Sequence, residues 1–126
     1  MTTPLPVGIC AHLNPSMMSR HALDTGYRLD LVPISVEQAR ELAPKILGQF
    51  STPAAASCIS YRNSADVIGS VLGVRVPHNR ALVSLEIGDS VLMAHLSGLR
   101  LPEHATELPE GTHLAFYLAY FLEWTP

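Results

Sequence analysis

Apolar and polar residues alternate with two different periods along this chain, and the switches between them mark its elements. Residues 27–33, Tyr-Arg-Leu-Asp-Leu-Val-Pro, alternate at every second position, as a half-buried strand does. Val36, Ala39, Leu42, Ala43, Ile46 and Leu47 then recur at helical spacing, and Ser35 stands three residues before Gln38, the spacing of a capping box. This predicts an amphipathic helix that lays one face on a sheet and stops at Gly48. Residues 7–10 predict a short first strand, and residues 11–18, interrupted by Pro15, a turn or helical start. Residues 58–60 read as a brief strand or strand end. A second helix follows through Val67, Ile68, Val71 and Leu72, capped by Asn63 or Ser64 and ended by Gly73.

Residues 82–87 and 91–96 have the pattern of two hairpin arms around Gly88-Asp89, and residues 114–124 that of a last, aromatic-rich strand. Strands on either side of helices predict a single α/β domain spanning residues 1–126, with a mixed sheet of about five strands and flanking helices. Residues 114–122 are nearly all apolar, so both faces of that strand are expected to be covered, one by a helix and the other by a second subunit of a homodimer.

Composition changes this picture in three ways. With 48% hydrophobic and 15% charged residues the chain has enough apolar surface to form a core, which excludes general disorder. A formal net charge of -3 argues against a protein that coats duplex nucleic acid with clustered Lys and Arg. A small anionic ligand needs only a local group of arginines and amides, and Arg62, Arg80 and Arg100 fall in one region. Two cysteines, Cys10 and Cys58, each beside isoleucine, are expected to be buried thiols. The start Met1-Thr2-Thr3-Pro4-Leu5-Pro6 lacks the basic and apolar regions of a signal peptide, and no apolar run reaches the ~20 residues of a membrane span, so a cytoplasmic protein is expected.

The six histidines show no metal-binding spacing and no cysteine pair accompanies them, so no metal or cofactor is expected. Dinucleotide, nucleoside triphosphate and serine-hydrolase motifs do not occur either. What remains is a series of polar turns: residues 58–64, Cys-Ile-Ser-Tyr-Arg-Asn-Ser; the corner Pro77-His78-Asn79-Arg80; and residues 97–103, Ser-Gly-Leu-Arg-Leu-Pro-Glu. Taken alone, these are a helix cap, a turn and a surface ion pair of little consequence.

In that order, however, they resemble the small dimeric ring nucleases with which viruses counter type III CRISPR defence, proteins that bind cyclic tetra-adenylate and cut it. The resemblance implies a phosphate-binding lip at Arg62, Asn63 and Ser64, where a helix start presents open amides. It implies ligand contact by Arg100, and orientation of the ribose or help in the reaction by Glu103. Asn79-Arg80 matches as a pair that fixes a turn. Asn14, Ser16 and Met17 correspond to a pocket-lining loop, with Pro15 inserted and positions exchanged.

The departure is at Tyr61, where the family has the histidine that protonates the leaving oxygen; a phenol gives up its proton far less readily. His12, at the end of the first strand, is a candidate to replace it. Two readings follow: a ring nuclease that is slow, or a non-catalytic sponge or sensor of the cyclic nucleotide. An interaction protein retaining only the fold is a third.

Overall fold

The computed structural model describes residues 4–80 and 84–125. Four strands, β1 (Ile9–Cys10), β2 (Tyr27–Ile34), β3 (Ser90–Gly98) and β4 (Thr112–Glu123), form one mixed sheet in the order β1-β3-β4-β2. β1 runs parallel to β3, whereas β4 is antiparallel to both β3 and β2. The helices are α1 (Arg20–Thr25), α2 (Val36–Leu47) and α3 (Arg62–Leu72), with short 3₁₀ turns at Pro15–Met17 and Pro53–Ala56. The expected α/β architecture is present, with four strands in the sheet among the described residues.

α2 forms as its sequence predicts. Ser35 Oγ accepts from the Gln38 amide at 3.1 Å, and the Gln38 side chain accepts from the Ser35 amide at 2.9 Å, so two otherwise unpaired donors are satisfied. Ala39, Ala43, Ile46 and Leu47 on its inner face join Ile68 and Leu72 of α3 against Leu92, Ala94 and Phe116 of the sheet. Ser35→Ala should cost about 1 kcal/mol, read as a melting temperature lower by roughly 4 °C; an unchanged melting curve would mean that packing alone holds the helix start.

The opposite face is covered at one end only. Met17, Met18, Ala22 and Leu85 pack there on Cys10, Val91, Ala119 and Phe121. Beside this cluster on the edge strand β2, Leu29 and Leu31 are 39% and 47% exposed, and toward the other end of the face His95 and Ala115 are also exposed. Strand register puts Leu29, Leu31, Tyr117, Ala115 and His95 on this one face.

Two expectations change. Of the arm expected at residues 82–87, Leu82 and Val83 lie outside the described residues; among the described residues the remainder does not pair with β3, and Leu85 instead forms an isolated parallel bridge with Met18. Its amide donates to Met17 O at 2.7 Å and its carbonyl accepts from Ser19 at 2.8 Å, which seats the fully buried Leu85 side chain in the second core. The partner of β3 is β4, in register from Ser90↔Tyr120 to Gly98↔Thr112, with residues 99–111 as the connecting loop.

Nor are the cysteines free thiols. Ile9 pairs in parallel with Ser57, and the Cys58 amide donates to Ile9 O at 3.0 Å. This brings the Cys10 and Cys58 Cα atoms to 5.0 Å, and their sulfurs are joined in a disulfide.

Candidate functional site

Residues 57–60, β1 and β3 all run in the same direction, so their carboxyl ends share one rim of the sheet. In mixed sheets the crevice outside such ends is a common place for ligands. On this rim, α3 starts at Tyr61 and the long 99–111 loop leaves β3.

Tyr61, not Asn63 or Ser64, is the N-cap of α3, and its side chain makes no capping bond. The first intrahelical bond is Ala65 N–H to Tyr61 O at 3.0 Å, which leaves the Arg62 and Asn63 amides without an intrahelical acceptor. Asn63 turns its side chain to other work. Its Nδ2 donates to Pro102 O at 3.1 Å, fastening the 99–111 loop to the helix start, and its Oδ1 accepts from the Ser64 amide at 2.9 Å. The loop is tied at its base as well: Thr112 Oγ1 donates to Leu99 O at 2.8 Å, and the Leu99 amide to Gly111 O at 2.9 Å.

A third segment closes the site. The Asn79 amide donates to Ile59 O and its Nδ2 to Ala54 O, both at 2.8 Å, so the corner after Pro77 is held against the segment that leads into Tyr61. The sequence reading of Asn79 as a turn-fixing residue therefore has a geometric basis. Arg80 does more than fix a turn. With His78 it lines an open cavity of about 620 Å3, together with Ser60, Tyr61, Arg62, Asn63, Arg100, Leu101 and Glu103. An adjoining hollow of about 360 Å3 shares Tyr61, Asn63, Arg100 and Leu101 and adds Ser64, Ser97, Gly98 and Leu99.

The cavity is cationic. Three of the chain's eight Lys and Arg residues line it, against the single carboxylate of Glu103. Arg62 has only a loose contact with Asp66, 3.8 Å apart and exposed, which holds neither group firmly. Among the described residues neither Arg80 nor Arg100 has a carboxylate partner. Unpaired guanidiniums beside open helix amides are an arrangement that binds phosphate oxygens.

The N-terminal loop is placed differently. His12, Asn14 and Ser16 are exposed, and none of them lines either cavity. The Asn14 side chain caps the following 3₁₀ turn by accepting from the Ser16 amide at 2.9 Å and from the Ser16 hydroxyl. Met17 is buried in the second core. Sequence reasoning passed over His78, although its place two residues before Arg80 in a proline-led corner was a signal, since alternate residues of an extended segment face one side.

The family described as STIV B116-like matches residues 13–114. The chain belongs to that family. The B116-like match takes in Tyr61, the His78–Arg80 corner and the Arg100–Glu103 loop, whereas Cys10 and His12 precede it. B116 of Sulfolobus turreted icosahedral virus shares the fold, with a TM-score of 0.68 over 91% of this chain and 98% of that chain, at 14% identity. No curated protein matches the chain. Among the described residues of this B116-like protein no helix is long and apolar enough to cross a membrane.

Proposed function

We propose that this protein binds a cyclic oligoadenylate, with the tetra-adenylate ring as first candidate, and cleaves it slowly, so antagonising type III CRISPR signalling. The observation that carries this reading is the convergence of Arg62, Arg80 and Arg100 with the open start of α3 on one cavity of a protein whose net charge is negative. The polar turns that resemble the ring nucleases supply three walls of that cavity. Ribose 2′-hydroxyls would lie near Glu103 and the phosphates near the arginines.

A ring with repeated nucleotides suits a two-fold dimer, because each subunit then presents the same groups to half of the ligand. The open sheet face around Leu29, Leu31 and Ala115 is apolar and supports self-association there. A sedimentation run giving a monomer at every concentration would refute this part of the reading.

A second reading is favoured by Tyr61. This residue is 64% exposed at the helix start where the resembled family has its acid, so the protein would hold the ring without cutting it. Incubation with labelled cyclic tetra-adenylate, following both retained ring and linear product, separates the two. Arg100→Gln should weaken retention by roughly 10- to 150-fold, the worth of one charge-assisted bond to phosphate, and comparable retention by both proteins would remove Arg100 from the ligand site. No retention by the wild-type protein would overturn the proposed function.

A further inference from the structure

We propose that His78 is the general acid of ring cleavage, filling the role left open by Tyr61; this rests on the cleavage reading above. His78 supplies the one imidazole in the arginine-lined cavity. It sits there because its neighbour is fixed. Asn79 is bound through both its amide and its side chain to the backbone at Ile59 and Ala54, so the residues on either side of it, His78 and Arg80, face the cavity that Tyr61 and Glu103 also line. An acid held on a pinned corner next to the helix start is positioned without relying on a flexible loop.

His12 does not reach this cavity. His104 lies in an adjoining cleft of about 260 Å3 that shares Arg62, Asn63 and Glu103 with the cavity, adds Asp66, and has Arg62 as its one arginine. It lacks the Arg80 and Arg100 guanidiniums that would hold the scissile phosphate. An imidazolium is also the side chain that best combines proton donation near pH 7 with recovery of the proton afterwards.

In the step so assigned, the ribose 2′-oxygen forms a bond to phosphorus and passes its proton to the Glu103 carboxylate. The bond from phosphorus to the 5′-oxygen breaks, and that oxygen takes the proton of the His78 imidazolium. The products are a 2′,3′-cyclic phosphate and a 5′-hydroxyl, and exchange with water restores both side chains.

The test uses the full chain, His78→Asn, and labelled cyclic tetra-adenylate under single-turnover conditions, with retention measured in parallel. The rate should fall by ~100- to ~10,000-fold while retention stays within about threefold. His104→Asn should cleave as the wild type does. A ring carrying sulfur in place of each bridging 5′-oxygen needs no acid for departure, so His78→Asn should cut it as fast as the wild-type protein; a merely structural defect would slow both substrates. Adding Tyr61→His to His78→Asn should recover part of the rate. Unchanged cleavage of the ordinary ring by His78→Asn, or equal slowing of both rings, overturns the assignment. Retention without any product from the wild type overturns it too while leaving the binding reading intact, and absence of retention removes both.

Discussion

Gly98→Ala is expected to lower the melting temperature by roughly 15 °C and to abolish retention of the ring, because two penalties of about 2 kcal/mol each fall on one atom. Gly98 has φ +87°, a conformation that side chains with a Cβ adopt only under strain, and it closes the β3-β4 ladder opposite Thr112. A Cβ there would stand 2.4 Å from Gly111 O, a backbone atom that is also bound by the Leu99 amide. Relief requires the two strands to part at the base of the 99–111 loop, which carries Arg100 and Glu103 into the cavity. Gly88→Ala is the control: its φ of +99° imposes strain, but nothing lies within 4 Å and the site is remote from the 99–111 loop. It should lose a few degrees and keep the ligand. A Gly98→Ala protein that melts within about 3 °C of the wild type and retains the ring would show that the strand ends yield freely.

Severing the disulfide should cost about 4 kcal/mol, since a cross-link over 48 residues removes that much chain entropy from the unfolded state. The expected reading is a melting temperature lower by more than roughly 10 °C in excess dithiol, or in Cys58→Ser, than in the oxidised protein. The effect should extend to the site. Cys58 lies three residues before Tyr61, and the bond ties the segment entering α3 to β1, so its loss should weaken ring retention as well as stability. Intact mass establishes the starting state, being lower by two hydrogens when the bond is present. Identical melting with and without dithiol, from protein of the oxidised mass, would mean that parallel pairing of Ile9 with Ser57 already supplies the whole constraint.

Much of the site was legible as chemistry before it was legible as place. Tyr61, Arg62, Asn63, Arg100 and Glu103 come together from two segments far apart in sequence, and Ser64 borders the adjoining hollow. Asn14, Ser16 and Met17 do not join them, because a polar side chain at a turn is as readily used to cap that turn, as Asn14 does, and an apolar one to fill a core, as Met17 does. The expected helix cap failed for a related reason. Asn63 stands two positions past the N-cap, Tyr61, and its amide group is drawn to Pro102 on another loop, a contact with no local signature.

The sequence by itself determined what depends on near neighbours: α2, with its Ser35–Gln38 box and apolar face; the extended character of β2, β3 and β4; and the supply of arginines and polar turns. Only the tertiary structure decided which strand lies beside which, that Cys10 and Cys58 meet, and that the His78–Arg80 corner faces the start of α3. A period-two pattern fixes which side chains share a face but carries no information about the partner strand, which is chosen by burial across the whole core. That choice sent Leu85 to Met18 and gave β3 to β4, and the long loop this left between them brings Arg100 and Glu103 to the cavity.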